Sequence, residues 1–119
     1  MARILVIDDS PLFRMLLKEI LEKNGYEVYE AASVPEALDL FARVSPDLIF
    51  KDLIMEDEDP LAMIQTLKGI KPGVKIVICS TEGQKSLIYQ AIRAGAKDFL
   101  VKPFNTKEVM MTVKRLLAI

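Results

Sequence analysis

Five short apolar runs, each followed by a stretch of helical period, dominate this 119-residue sequence and narrow the folds open to it. The runs are "RILVI", "EVYEA", "DLIFK", "KIVICS" and "DFLVK". They are too short for helices and rich in β-branched residues, so they read as strands. Strand then helix, repeated five times, predicts an α/β architecture in which helices cover both faces of a parallel sheet. The helix limits are signalled as well. Ser10-Pro11 opens the first helix and Gly25 closes it. Ser33 with Glu36 forms a capping box for the second, Asp59-Pro60 opens the third, Gly95 ends the fourth, and Asn105 with Glu108 starts the fifth. No linker, repeat or low-complexity segment interrupts the series, and residues 1–119 read as one domain with ample apolar material for a core.

Composition removes several function classes. With 16 basic and 17 acidic residues the net charge is -1, so there is no basic field to hold nucleic acid or an anionic membrane surface. The single cysteine, Cys79, lies in an apolar run and reads as a buried thiol in a reducing compartment. The absence of histidine excludes His-dependent triads and most transition-metal sites. Without a membrane-length apolar segment or a leader, the chain is expected to be cytoplasmic.

In open parallel sheets, function collects at the carboxyl ends of the strands. The residues at those ends are Asp8 and Asp9, Asp52, Ser80 and Lys102. Singly, each has an ordinary reading: acids that begin a helix, a loop serine, a solvated lysine. Jointly they suit phosphoryl chemistry. A carboxylate attacks a phosphoryl donor poorly because both are negative, and a hard divalent cation held by neighbouring carboxylates cancels that repulsion.

The motifs "VIDDS", "PDLIFKD", "ICS" and "DFLVKPF" together resemble a response-regulator receiver domain of the chemotaxis type, the phosphoacceptor module of bacterial two-component signalling, over the whole chain. The resemblance implies a single-domain, flavodoxin-like (βα)5 fold with a five-stranded parallel sheet in the order 2-1-3-4-5. It implies that Asp52 accepts a phosphoryl group from a sensor histidine kinase or phosphotransfer protein, with Mg²⁺ as cofactor. Asp9 and Asp52 would ligate the ion directly, Asp8 largely through water, and the Ile54 backbone carbonyl would contribute. Lys102 and Ser80 would contact phosphoryl oxygens. The only catalysis implied is self-phosphorylation and self-dephosphorylation. By the same resemblance, Ser80 and Phe99 form a switch that reshapes the face of the fourth helix, fifth strand and fifth helix. A downstream protein or tethered output domain would read that face, for which Leu87, Tyr89, Met110 and Met111 are candidates. A cis Lys102-Pro103 bond is implied too.

The stretch "DLIMEDEDPL" departs from the family pattern: Glu56 replaces the usual proline after the methionine, and Pro60 stands where a glycine belongs. Lys51, in a strand expected to be buried on both faces, is also unusual, and is expected to snorkel to the strand end. The altered loop motivates an alternative, a non-phosphorylated pseudo-receiver that serves only as an interaction module. Two further classes fit less well. An aspartate-nucleophile phosphatase needs an acid where Ile54 stands, and a flavin site needs a phosphate cradle where Asp8 and Asp9 stand.

Overall fold

The structure, a computed structural model, describes residues 2–56 and 58–118. Strands β1 (Arg3–Ile7), β2 (Glu27–Ala31), β3 (Leu48–Asp52), β4 (Ile76–Ser80) and β5 (Asp98–Val101) alternate with helices α1 (Pro11–Lys23), α2 (Val34–Val44), α3 (Ala62–Ile70), α4 (Lys85–Ala94) and α5 (Thr106–Leu117). All four strand pairings are parallel, and the order is β2-β1-β3-β4-β5. This is the flavodoxin-like (βα)5 arrangement, with each strand within a residue or two of its expected limits.

The pleat of the sheet explains why the central runs are continuously apolar. Ile4, Val6, Phe50 and Val77 turn to one face and pack with Leu17, Leu21, Val109 and Val113 of α1 and α5. Leu5, Ile7, Ile49 and Ile78 turn to the other and meet Ala37, Phe41, Ile64 and Ala91 of α2, α3 and α4. With both faces covered, every side chain of β1, β3 and β4 beyond Arg3 and Asp52 is buried. Among the described residues no helix is long and apolar enough to cross a membrane.

Three helix starts follow the cap chemistry. Ser10 accepts from the Phe13 N–H, Ser33 from that of Glu36 and Asn105 from that of Glu108. The third helix corrects the sequence reading, because it begins at Ala62 and Leu61 caps it with no side-chain bond. Asp59 spends its groups on a turn instead. Its Oδ1 accepts from the Leu61 N–H at 2.9 Å and its carbonyl from the Ala62 N–H at 3.1 Å.

The edge strands are tied down by charge. On β2, Glu27 meets Arg3 at 3.0 Å, and Glu30 lies 3.5 Å from Arg14 and 3.2 Å from Lys18. On β5, Asp98 pairs with Arg115 of α5. The four candidates for the α4-β5-α5 face divide: Tyr89 and Met111 are exposed, whereas Met110 is buried and Leu87 packs against the core. The last two are corrected to packing residues.

Candidate functional site

β1 and β3 lie side by side at the centre of the sheet, so Asp8 and Asp9 emerge next to Asp52. One carboxylate oxygen from each of the three lies within 4.8 Å of the others. Asp8 is only 2% exposed, whereas Asp9 faces solvent. Asp8 is held from three sides. Its Oδ1 accepts from the Ser10 N–H at 2.8 Å, its Oδ2 from Lys102 Nζ at 2.9 Å, and its carbonyl from Arg14 Nη1 at 2.7 Å. Asp9 Oδ2 accepts from the Glu56 N–H at 3.3 Å, which brings the backbone of the acidic loop to the carboxylates while the Glu56 side chain stays exposed.

Lys102 reaches the cluster from the end of β5, two strands away from β3. Its backbone N–H donates to the Ser80 carbonyl at 2.6 Å, and its Nζ, besides meeting Asp8, donates to Asp52 Oδ1 at 3.3 Å. The ammonium also lies 4.1 Å from the centroid of the Phe13 ring, within cation–π range. The Lys102-Pro103 bond is cis. Ser80 ends β4, is 1% exposed, and its Oγ has no hydrogen-bond partner among the described residues. Phe99 lies on the exposed side of β5 and lines an apolar groove of about 640 Å³ with Ile88, Tyr89 and Ile92 of α4.

The electrostatics follow from this crowding. Burial, and then the adjacent Asp8 charge, push the Asp52 carboxyl up to about 6, with Lys102 opposing them. For Lys102, burial disfavours the ammonium, but the hydrogen bond to Asp8 and the charge of Asp52 outweigh it and raise its value. Burial raises the Cys79 thiol as well, so Cys79 is packing rather than chemistry. A carboxylate oxygen set in which three acids face one lysine suits a hard divalent ion such as Mg²⁺, and the Ser80 hydroxyl has hydrogen-bonding capacity to spare for an added oxygen.

The fold thus brings Asp8, Asp9, Asp52 and Lys102 into one cluster, sets Ser80 on the strand next to Asp52, and leaves Ile54 exposed at the rim. Three neighbours escaped the sequence reading. Arg14 and Phe13 lie in the first turns of α1, where only the packing of that helix over β1 and β2, together with the reach of Lys102 across the strand ends, brings them to Asp8 and Lys102. Glu58 is the third. Lys51 bends toward the strand end as anticipated, but it does not reach water: its side chain is 0% exposed and its Nζ lies 2.8 Å from Glu58, itself 4% exposed. A lysine placed in a strand buried on both faces was the available signal that an acid lies within reach.

Known proteins resemble this chain over nearly its full length. The family model for the response regulator receiver domain matches residues 4–114. The chain is 40% identical to chemotaxis protein CheY of Bacillus subtilis, over 97% of each sequence. It is 30% identical to sporulation initiation phosphotransferase F of the same species, over 97% of this chain and 93% of that protein. Among solved structures, the receiver domain of NtrX from Brucella abortus superposes with a TM-score of 0.92 at 33% identity, covering 96% of this chain and 97% of that one. The sheet order, the acid cluster and these likenesses place the chain in the response-regulator receiver family.

Proposed function

We propose that residues 1–119 form a single cytoplasmic receiver domain that works as a phospho-switch, with Asp52 as the phosphoacceptor. Receiver domains are signalling modules that bind Mg²⁺ in an acidic pocket and interact with histidine kinases or phosphotransfer proteins and with output domains. The observation that carries the reading for this chain is the convergence of three carboxylates within 4.8 Å, two of them bonded to one lysine.

An Asp52 oxygen attacks the phosphorus of the donor, so a P–O bond forms as the donor's own bond to phosphorus breaks and its leaving group departs. Asp9 and Asp52 would hold Mg²⁺ directly, with Asp8 acting largely through water and the Ile54 carbonyl contributing, and the bound ion would supply charge neutralisation at the phosphoryl oxygens. Lys102 exchanges its bond to Asp52 for one to a phosphoryl oxygen, and Ser80 donates its unpartnered hydroxyl to another. As Ser80 moves, Phe99 leaves its exposed position and turns inward. This reshapes the α4-β5-α5 face for a downstream protein or a tethered output domain.

The test is a spectrum recorded with beryllofluoride, with and without Mg²⁺. A Mg²⁺-dependent change at Ser80 and Phe99 is expected. No change under either condition would leave the non-phosphorylated interaction module as the better reading.

Two predictions belong to the rim. Ile54 cannot hydrogen-bond to an attacking water, so the phosphoryl group should be long-lived and Ile54→Asn should speed its loss. The expected acceleration is roughly 3- to 10-fold, about what one added hydrogen bond contributes to a barrier. A decay assay with labelled protein measures it, and equal rates would remove Ile54 from the water's path. Glu56→Gln removes one exposed charge beside Asp9. A unit charge at about 8 Å contributes roughly 0.5 kcal/mol in water and about 2 kcal/mol at a dielectric of 20, and the exposure of Glu56 favours the lower figure. Mg²⁺ titration at low salt should show roughly twofold weaker binding, and labelling by acetyl phosphate at saturating Mg²⁺ should be faster. If neither moves, the loop acids do not act on the site.

A further inference from the structure

We propose that Lys51 and Glu58 form a buried clamp that fixes the peptide after the phosphoacceptor and, with it, the loop carrying the Ile54 carbonyl. The inference rests on the reading of that carbonyl as part of the Mg²⁺ site, and both residues are positioning residues that touch neither ion nor phosphoryl group.

The geometry is specific. Lys51 stands between Ile7 of β1 and Ile78 of β4, on the sheet face that packs against α2, α3 and α4. Its Nζ donates to the Asp52 carbonyl at 2.7 Å. The other edge of the same peptide is also held, because the Leu53 N–H donates to the Cys79 carbonyl at 2.7 Å. The plane of the Asp52–Leu53 peptide is therefore fixed from both sides, immediately before Ile54. Glu58 then anchors the lysine with an ionic contact of 2.8 Å. Neither carboxylate oxygen receives a hydrogen bond of good geometry, so this contact is the compensation for the Glu58 charge among the described residues. The Glu58 carboxylate sits against a small cavity of about 90 Å³ walled by Val34 and Leu38 of α2 and Met63 of α3. The loop is thus tied at one end to β3 and at the other to the core, with Ile54 between. In the stretch where the family's proline and glycine are missing, a charge pair supplies the restraint.

Removing one partner strands a buried charge and destabilises the fold for reasons unrelated to the site, whereas replacing both by apolar residues of similar volume is often tolerated. The informative variant is therefore the double one, Lys51→Met with Glu58→Met, which leaves the net charge unchanged. The clamp predicts that this protein melts cooperatively near the wild-type temperature. Amide hydrogen exchange at residues 53–56 should nevertheless be about tenfold faster without metal, and Mg²⁺ should bind about tenfold more weakly by NMR titration, the low end for outer partners of metal ligands. Wild-type exchange rates together with wild-type Mg²⁺ affinity would overturn it. If the double variant does not fold, the wild-type protein still decides. A clamped Lys51 ammonium gives a slowly exchanging nitrogen signal that shifts when Mg²⁺ is added, and an ammonium signal lost to fast exchange would overturn the proposal. A wild type that binds no Mg²⁺ would refute the metal site itself, while the exchange rates would continue to judge the clamp.

Discussion

With Asp52 replaced by asparagine, neither acetyl phosphate nor beryllofluoride should alter the spectrum, and no label should be retained. The amide keeps the shape of the side chain, but its nitrogen and neutral oxygen cannot form the acyl phosphate. The same variant should be more stable than the wild type in the absence of metal. Asp52 has an ordinary value of 3.8 and is raised to about 6 in the folded chain by burial, then by Asp8, with Asp9 adding to the effect. Between those values the folded chain holds a proton that the unfolded chain has released. Native stability therefore falls as pH rises through that window, and it stays lowered above it. Asparagine removes the penalty. After allowance for solvent screening, the gain at pH 7 should be of the order of 1–2 kcal/mol, or roughly 3–8 °C in melting temperature. It should vanish as pH falls below about 4, where the carboxyl is protonated in both states. Melting curves across this range measure it. A variant less stable than wild type at pH 7 would mean that the bond to Lys102 outweighs the repulsion from Asp8.

Asp9→Ala should separate binding from folding most cleanly. Asp9 is exposed and accepts one long bond, from the Glu56 N–H, so its removal should change stability by no more than about 0.5 kcal/mol. It also takes away one of the charges that raise Asp52. Loss of a direct carboxylate ligand should weaken Mg²⁺ binding by about 100-fold or more, beyond what outer partners usually contribute. Mg²⁺ titration and a melting curve on the same sample give both numbers. An unfolded variant would make Asp9 a structural acid, and unchanged Mg²⁺ affinity would take it out of the metal site.

Much of this site is legible without coordinates, because the fold aligns chain order with position. Any acid, hydroxyl or lysine that ends an apolar run in a parallel sheet must arrive at the same edge. That logic finds Asp8, Asp9, Asp52, Ser80 and Lys102, although periodicity alone is silent on which strands are neighbours; the order came from the family resemblance. Local chemistry fails where one group has two possible uses. Asp59-Pro60 is a sound helix start, yet the Asp59 carboxylate and carbonyl close a turn, and the helix waits until Ala62. Met110 and Met111 are adjacent in sequence, and only the packing of α5 on the sheet buries one and exposes the other. Glu58 was hidden for a related reason. In an acidic stretch every carboxylate reads as solvated, and nothing short of the path of the Lys51 side chain distinguishes the buried one.

The charged rims of the sheet bear on how copies of this chain can meet. An unpaired strand edge is a template on which another chain can add a strand, and short, charged edges suppress that. Here the outermost strands are only five and four residues long. The Glu27, Glu30 and Asp98 carboxylates on those strands are each engaged by an arginine, with Lys18 also on Glu30. An incoming strand would meet short edges flanked by charged side chains and gain only a few backbone bonds. Lateral growth of the sheet into fibres or strand-exchanged dimers is accordingly disfavoured.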